Sequence, residues 1–293
     1  MVGHSAVHIP VMVRETLFYL EPKPGEVIAD CTCGAGGHAE HILRAIVPGG
    51  RLIGIDRDAE ALAIAEKKLA GLAGNFELHH ANFSGIGRIL PGPVDATLFD
   101  LGVSSLQLDR PERGFSFTAD GPLDMRMDPS CGAPASKILR QLSEKELQKV
   151  LSDYGEERYA RRIARAIKLA IKTTGLHTTG ELADVILRSV PRRGGRIHPA
   201  TRTFLALRVY INRELEELES VLAALPGLLK PGGRAVLISY HSLEDRIVKR
   251  AIREHAAQRR AEILTKKPVR PQPDEVRRNR RSRSARLRAL RRT

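Results

Sequence analysis

Several features are scarce or missing in this 293-residue chain, and each absence narrows the possible classes of protein. Its three cysteines, Cys31, Cys33 and Cys131, are too few for a disulfide framework or, by themselves, for a four-ligand zinc site. No apolar run approaches the roughly 18 residues that a membrane-spanning helix needs, and the first residues lack the regions of a signal peptide. The sequence therefore predicts a soluble, cytoplasmic protein with no membrane partner, no internal repeat and no metal cluster. A magnesium ion held by phosphate oxygens would leave little trace in the sequence.

Charge is distributed unevenly along the chain. The net charge is +14, and residues 246–293 hold 18 Lys and Arg against 4 Asp and Glu, whereas residues 1–245 hold 30 of each kind. Such a basic region is typical of proteins with a polyanionic partner. Nucleic acid is favoured over membrane because the region mixes basic residues with turn formers and has no long apolar face. A solvated tail without a partner is the alternative.

The most informative stretch is residues 27–58. An apolar run that ends at Asp30 precedes a turn with three glycines, a segment with helical apolar spacing and a second apolar run that ends at Asp56. This order predicts strand, tight turn, helix and strand. Asp56 follows Gly34 by 22 positions, near the spacing of about 20 at which a carboxylate takes ribose hydroxyls in nucleotide-binding α/β units. The stretch therefore predicts a site for an adenosine-containing cofactor.

The glycine pattern itself leaves the cofactor open. Gly34-Ala-Gly-Gly is not the full G-x-G-x-x-G of dinucleotide-binding proteins. S-adenosylmethionine is thus at least as good a candidate as a nicotinamide cofactor, and a turn that only lets the helix pack on the strand is the structural alternative. Cys31 and Cys33, near the end of the first predicted strand, are interpreted as small buried residues rather than as catalytic thiols.

The remaining chain alternates strands and helices, with one long interruption. The predicted elements outside it are a helix at 10–20, a helix at 59–72 with Leu62, Ile64, Ala65 and Leu69 inward, strands at 76–80, 94–99 and 235–239, and a final edge strand at 285–290. This alternation predicts the α/β class, with an open parallel sheet whose ligand crevice lies at the carboxyl ends of the strands. Asp100 ends the fourth strand there. His8, Pro10 and Glu15, just before the first strand, either cover the cofactor site or cap the surface.

The interruption, residues 107–212, predicts an inserted helical domain. Its helices are predicted at 135–151, 155–172, 179–189 and 200–225. The second of these helices has a basic face formed by Arg158, Arg161, Arg162, Arg165 and Lys168. This face would suit phosphates, although charges at such spacing more often form a solvated helix surface.

Nine short blocks occur in order over nearly the whole chain: HIPVMVRE, DCTCGAGGH, GIDRD, DLGVSSLQLD, RGFSF, DGPLDMRMD, YGEER, HPATRTF and YHSLEDRIVK. With them the chain resembles the bacterial 16S ribosomal RNA (cytosine-N4)-methyltransferases of the RsmH or MraW family. The resemblance implies a class I, Rossmann-like methyltransferase fold with an inserted all-helical domain, and S-adenosyl-L-methionine as methyl donor. The implied substrate is the exocyclic N4 amine of one cytosine in the decoding centre of 16S rRNA, within the small ribosomal subunit.

The same resemblance assigns the domains. Residues 1–106 and 213–293 would form the methyltransferase domain, the latter with the basic tail, and residues 107–212 would form a domain for the RNA substrate. Both a monomer and a homodimer stay open. The main alternatives are a methyltransferase for another nucleic-acid amine, such as a DNA amine, and an RNA-binding assembly factor with a vestigial cofactor pocket.

Matching motifs also imply a cofactor site. The residues so assigned are Gly36, Gly37, His38, Asp56, Phe83, Asp100 and Gln107. Asp56 would bind the ribose, Phe83 would lie against the adenine, and Gln107 would help to complete the side that faces the substrate. Two positions depart from the family pattern: Leu106 and Leu205 stand where proline and glutamine are more common. The loop before Gln107 is less constrained as a result.

Cytosine N4 is a poor nucleophile because its lone pair is delocalised into the ring, so the enzyme must hold it close to the methyl group. It also needs an acceptor for an N4 proton, because positive charge develops on the nitrogen. Asp100 is the predicted acceptor, with a purely cofactor-binding role as the alternative. His198 is interpreted as a helix cap. His241 and Ser242 follow the fifth strand at the same sheet edge and are predicted to contact the substrate, so Asp100 and His241 are the predicted catalytic residues. The loop after Asp100 lacks the aromatic motif that many amine methyltransferases have there, which leaves open what stacks on a flipped base.

Overall fold

The computed structural model describes residues 9–191 and 198–293, which leaves His8 outside the described residues. The chain divides into two compact units: one consists of residues up to Gly102 together with Leu215–Thr293, and the other is Val103–Glu214. Within the described residues, no helix is both long and apolar enough to cross a membrane.

Strands and helices alternate in the first unit, and the second is built from helices. The strands are β1 (Val27–Asp30), β2 (Arg51–Asp56), β3 (Asn75–His80), β4 (Val94–Asp100), β5 (Leu229–Ser239), β6 (Ala261–Ile263) and β7 (Arg286–Arg292). The helices are α1 (Val13–Leu20), α2 (Gly37–Ile46), α3 (Ala59–Leu69), α4 (Ser105–Asp109), α5 (Ala135–Gln141), α6 (Glu144–Gly155), α7 (Ala160–Thr173), α8 (Thr179–Ser189), α9 (Ala200–Ile211), α10 (Glu214–Leu228), α11 (Ser242–Ala257) and α12 (Pro273–Arg278). Helices α4 to α9 belong to the second unit.

In the described part of the chain the strands form a single seven-stranded sheet in the order β3-β2-β1-β4-β5-β7-β6. The first five strands in that order are parallel, and β7 is antiparallel to both of its neighbours. The chain order reverses between β1 and β4, the place where open α/β sheets bind ligands beyond the carboxyl ends of their strands. Asp30 and Asp100 end these two adjacent strands.

Alternating side chains of the strands build a hydrophobic layer on each face of the sheet. On one face, α2 contributes Ile42, Leu43 and Ile46, which are fully buried as their helical spacing predicts. On the other face, Leu222 of α10 packs with Phe99 of β4 in a separate cluster. Burying one such side chain contributes about 1.5–3 kcal/mol, so these layers hold the strand ends in fixed positions.

The helical unit has its own hydrophobic core. Its buried cluster takes side chains from different helices, including Leu147, Ile163, Leu182 and Phe204. A buried polar residue, Asn212, accepts a hydrogen bond from the N–H of Met127 at 2.8 Å and donates one to the Met125 carbonyl at 2.8 Å. These bonds fasten the long loop after α4 to the end of α9.

Two predicted helices are each divided in the structure. The helix predicted at 135–151 is interrupted before Ser143, whose hydroxyl accepts the Glu146 N–H while the Glu146 carboxylate accepts the Ser143 N–H. This reciprocal capping starts a new helix, α6. The helix predicted at 200–225 is interrupted at Arg213, which has a left-handed φ of 52°. Apolar periodicity continues across both breaks, which is why it did not reveal them.

Smaller differences concern single residues. Ile64 was predicted to face inward, but it is 37% exposed and Ala61 is buried instead. That prediction was wrong because positions 61, 62, 65 and 69 complete the apolar stripe of α3 without it. Cys31 and Cys33 are buried, as interpreted, and burial raises the pKa of both thiols.

The C-terminal segment, residues 246–293, differs most from prediction. The strand predicted at 285–290 as a final edge strand is β7, which lies between β5 and β6. The edge is instead β6, only three residues long. Ala285, Leu287, Ala289 and Leu290 have no exposed surface. The basic C-terminal segment therefore contributes two strands to the sheet and is not an appended tail.

Candidate active site

The turn between β1 and α2 requires glycine at position 36, both for its backbone conformation and for its packing against α3. Gly36 has a left-handed φ of 78°, and a Cβ at this position would lie 3.2 Å from the Cα and Cβ of Ala65. Gly37 begins α2, whose first N–H groups have no partner within the helix and attract a negatively charged group. A side chain at Gly36 would strain this turn in two ways.

Asp56 is oriented by the same turn. Its Oδ2 accepts the N–H of Gly34 at 2.7 Å, and its Oδ1 accepts the N–H of Asp58 at 2.9 Å. Each carboxylate oxygen keeps a second lone pair, so Asp56 can still accept the two hydroxyl hydrogens of a ribose. Burial raises the pKa of Asp56, against the two backbone hydrogen bonds, which lower it.

Phe83 begins the 3₁₀ turn Phe83–Arg88 after β3. Its ring meets the ring of Phe99 edge to face, with centroids 5.9 Å apart and an interplanar angle of 90°. Asn82 caps the turn by accepting the Ser84 N–H at 3.2 Å. Because Phe83 is only half-buried, part of its ring is available to a flat ligand.

Asp100 lies at the centre of a polar group at the carboxyl ends of β1, β4 and β5. Tyr240 donates its hydroxyl hydrogen to Asp100 Oδ1 at 2.7 Å. On the other side, His38 Nε2 lies 3.4 Å from Asp100 Oδ2. The Asp100 backbone N–H donates to Thr32 Oγ1 at 2.6 Å. These contacts hold the carboxylate in one orientation and bring Asp100 and His38, both predicted from sequence, together.

Asp30 adds a second carboxylate beside His38. It is 1% exposed, its Oδ1 accepts the Thr32 N–H at 3.2 Å, and its Oδ2 accepts no hydrogen bond from the residues that the structure describes. Burial raises the pKa of Asp30 to about 7. Burial alone would lower the pKa of His38, but the carboxylates of Asp100 and Asp30 outweigh it and raise that pKa. An unpartnered, buried carboxylate oxygen suits a cationic ligand group.

Sequence reasoning missed Tyr240, and it named Asp30 only as the end of a strand. Tyr240 directly follows β5, just as Asp100 ends β4, so its position at the end of a neighbouring strand was an available signal. Burial, and then the nearby Asp100 carboxylate, raise the pKa of Tyr240 well above its ordinary value. The hydroxyl therefore keeps the proton that it donates. The ring lies against Gly102, where a Cβ would be 3.3 Å from Tyr240 Cδ2.

His241, predicted to be catalytic, is the N-cap residue of α11. Its Nδ1 accepts the Glu244 N–H at 3.5 Å, and its Nε2 lies 3.1 Å from Glu244 Oε1. Glu244 is buried and also accepts the Tyr240 N–H at 2.8 Å. These contacts support a role in capping α11, whose first residue is Ser242. Substrate contact by His241 or Ser242 stays a prediction.

Two other candidates belong to the helical unit. Gln107 is buried, and its side chain accepts the Ser104 N–H at 3.1 Å in the cap of α4. His198 Nδ1 accepts the Ala200 N–H at 3.2 Å at the start of α9, and its ring stacks on Phe117 with centroids 4.7 Å apart. The N-cap residue of α9 is Pro199, so the contact of His198 with the Ala200 N–H supports a structural role at this helix start without making His198 the N-cap. The cofactor contact of Gln107 stays a prediction.

The C-terminal segment reaches the polar group through Glu275 of α12. Glu275 Oε1 accepts the N–H of Met12 at 2.7 Å, and Met12 is a fully buried residue with a left-handed φ of 55°. The Glu275 carboxylate also helps to raise the pKa of both His38 and Tyr240. Glu275 thus connects the start of α1 to the surroundings of Asp100. Whether Pro10 and Glu15 cover the cofactor stays a prediction.

The sheet has the strand order 3-2-1-4-5-7-6, and β7 is antiparallel to its neighbours. Together with the glycine turn after β1 and the carboxylate that ends β2, this sheet defines a class I methyltransferase. A model of the MraW methylase family matches residues 5–293. The chain belongs to this family, and S-adenosylmethionine is its methyl donor.

Individual relatives match over nearly their whole length, and each is named ribosomal RNA small subunit methyltransferase H. The protein of Sorangium cellulosum is 51% identical over 290 residues, which cover 97% of this chain and 90% of that protein. The protein of Thermotoga neapolitana is 50% identical over 295 residues, covering 98% and 96%. That of Acidobacterium capsulatum is 47% identical over 291 residues, covering 96% and 97%.

The residues present fit S-adenosylmethionine. The N-terminus of α2 at Gly37 suits a carboxylate, Asp56 retains acceptor capacity for ribose hydroxyls, and Asp30 has a buried oxygen without a partner among the described residues. A ligand with a ribose and a positively charged ammonium group matches this combination.

Proposed function

We propose that this protein transfers the methyl group of S-adenosylmethionine to the exocyclic N4 amine of one cytosine in the decoding centre of 16S rRNA, within the small ribosomal subunit. The relatives described above support ribosomal RNA of the small subunit as the substrate. One observation favours an amine acceptor over other chemistry: a carboxylate, Asp100, is held by Tyr240 at the carboxyl end of β4.

Within this proposal the cofactor residues have distinct tasks. Gly36, Gly37 and His38 hold the methionine part, Asp56 binds the ribose, and Phe83 lies against the adenine. The N-terminus of α2 suits the methionine carboxylate, and Asp30 suits the ammonium group. Asp100 and Gln107 complete the side that faces the substrate.

The chemistry requires one proton acceptor. Bound S-adenosylmethionine would supply an electrophilic methyl group to N4, and its sulfur would keep the electron pair of the bond to that methyl group. Positive charge then develops on N4, and one N4 hydrogen must leave as a proton. The Asp100 carboxylate accepts this N–H as a hydrogen bond, stabilises the developing charge and takes the proton.

Tyr240 and His241 act around Asp100. Tyr240 occupies one lone pair of Asp100 Oδ1, which orients the other lone pairs toward the substrate. His241 contacts Glu244, and Glu244 holds the backbone of Tyr240, so His241 acts as a positioning residue through them. The helical insertion, predicted at 107–212 and forming the compact unit Val103–Glu214, contacts the RNA.

The test is transfer of labelled methyl to small ribosomal subunits that lack their native modifications, followed by nucleoside mass spectrometry. We expect N4-methylcytidine at a single site. Another methylated nucleoside would contradict the choice of acceptor. Cofactor binding without any transfer would instead favour a non-catalytic assembly factor.

The role of Asp100 has its own control on the same strand. Asp100→Ala should abolish transfer while the protein stays folded. Asp95→Asn, at the other end of β4, removes a carboxylate that pairs with Lys230 at 2.8 Å and should leave transfer nearly normal. A near-normal rate for Asp100→Ala would remove Asp100 from the mechanism.

A further inference from the structure

The balanced charge of residues 1–245 conceals an uneven division. Residues 103–214 contain 20 Lys and Arg against 13 Asp and Glu, whereas the other residues of this range contain 10 against 17. The helical unit is therefore a second basic region beside the C-terminal segment.

Helix α7 concentrates this charge on one face. Its buried side consists of Ala160, Ile163, Ala164 and Ile167. Its five charged residues are all basic, and no acidic residue occurs in the helix. The exposed arginines on and just before it, which we call the α7 arginine face, are Arg158, Arg161, Arg162 and Arg165. Spacings of three and four positions place them on one side of the helix.

The α7 arginine face forms no ion pair in the part of the chain that the structure describes. None of its four arginines forms an ion pair with any residue in 9–191 or 198–293. Lys168 shows the difference, because its Nζ donates to the carbonyls of Leu139, Arg140 and Leu142 at 2.8, 3.2 and 2.5 Å. Lys168 caps the C-terminus of α5 and is therefore not counted in the α7 arginine face.

A helix surface that only faces solvent usually carries charges of both signs, unlike the surface of α7. The neighbouring helix α6 mixes signs on its surface, with Glu144, Lys145, Glu146, Lys149 and Asp153. In α7, by contrast, Arg161 and Arg165 are like charges four positions apart, a pairing that destabilises a helix. The unpaired face therefore has a cost in the free protein, which an external polyanion would offset.

We infer that the α7 arginine face binds the phosphate backbone of the RNA substrate. Guanidinium groups bind phosphates through two parallel hydrogen bonds, and a face of this length spans several nucleotides. Leu169, 61% exposed and four positions after Arg165, adds an apolar surface for a sugar or base. This inference rests on the proposed function, since the RNA is the substrate of that reaction.

The test replaces three arginines in the full-length protein, as R161Q, R162Q and R165Q together. We expect the KM for RNA to rise about tenfold, with kcat at saturation and cofactor affinity unchanged. The slope of log K against log salt should fall by about 2, since each phosphate contact of a single strand contributes about 0.7. The matched control is K249Q, R250Q and R253Q on α11, which removes the same charge and should change the KM less than about twofold.

Binding of a labelled fragment of the 16S decoding region is measured separately from turnover. If the wild type binds this RNA but methylates nothing, the proposed function fails while the salt slope still tests the α7 arginine face. An unchanged slope in the triple variant, or an equal loss in the α11 control, would overturn the inference. So would a defect on intact subunits that is absent on naked RNA, because it would indicate a ribosomal protein as the partner.

Discussion

Strand β7 of the C-terminal segment and the α7 arginine face are both rich in arginine, but their arginines have different surroundings. In the C-terminal segment, Arg288 is buried and donates to Asp245 Oδ1 at 2.7 Å, and Arg286 lies 3.3 Å from the same carboxylate. In α7 the arginines are exposed and have no ion pair in the described chain. Sequence charge alone favoured the C-terminal segment as the polyanion site. Local partners separate a structural arginine from an available one.

The structural role of the C-terminal segment is tested most directly by removing it. A chain that ends at Arg270 loses α12 and β7, and with β7 the fully buried Leu287 and Leu290. Each such leucine contributes about 2–5 kcal/mol by comparison with alanine, so we expect no cooperative unfolding transition by circular dichroism. The control R277Q, R280Q and R283Q removes exposed charge, keeps the strand and should melt normally. A truncated chain that melts like the full protein would mean that the segment is a tail after all.

The next largest effect is expected at the buried ion pair. Asp245→Ala leaves Arg288 buried without its partner, which should lower the free energy of unfolding by about 3 kcal/mol. The matched variant is Glu219→Ala, which breaks the exposed pair between Glu219 of α10 and Arg250 of α11 at 2.8 Å and should cost less than about 1 kcal/mol. Urea denaturation measures both. Equal losses would show that the arginines of β7 are no more structural than surface ones.

Glu275 separates the structural role of the C-terminal segment from its electrostatic one. Glu275→Ala leaves the N–H of Met12 without its acceptor and should cost about 1–2 kcal/mol of stability. Glu275→Gln keeps an acceptor oxygen but removes the charge, so stability should change less while the pKa of His38 falls. The pKa of His38 is raised in the folded protein. Protonated His38 therefore contributes its full stabilisation at pH values below its pKa in the unfolded chain, and this stabilisation is lost as the pH rises through its pKa in the folded protein. In Glu275→Gln the pKa of His38 in the folded protein is lower, so the stabilisation by protonated His38 should be lost at a lower pH.

Nuclear magnetic resonance titration of the His38 ring measures this shift directly. Asp100→Asn should lower the pKa of His38 further than Glu275→Gln does, because Asp100 is the largest of the influences that raise it. If Glu275→Gln leaves the His38 titration unchanged, Glu275 only anchors Met12 and has no electrostatic effect on the active site.

Much of the fold and part of the site could be predicted from local patterns. Strand, glycine turn and helix follow each other within a few residues, so apolar spacing and the glycines were enough to place Asp30 and Asp56 at strand ends. The α/β class followed from the same alternation. Asp100 was placed correctly for the same reason, since it directly follows an apolar run.

Other contacts could not be predicted from the sequence, because they depend on the order of the strands in the sheet and on packing between distant segments. Tyr240 and Asp100 are 140 positions apart, and Glu275 and Met12 are 263 apart. Periodicity shows that a segment is a strand but not which strands it lies between, so β7 was assigned to the edge. A three-residue strand such as β6 is too short to show a period at all.

The smallest expected effect on stability is that of Arg165→Gln, which we compare with a substitution of its neighbour Lys168 in α7. Lys168→Met keeps the aliphatic stem but removes the donor that caps three carbonyls of α5, and we expect a loss of about 2 kcal/mol. Arg165→Gln, three positions earlier, breaks no contact with a described residue and should stay within about 0.5 kcal/mol. The two variants remove the same charge from the same helix, so urea denaturation of both isolates what the side chain contacts. If the two variants were equally destabilising, Arg165 would have a structural partner and would not belong to the α7 arginine face. If Arg165→Gln leaves stability unchanged but weakens RNA binding, the charge of Arg165 contributes to RNA binding and not to the stability of the fold.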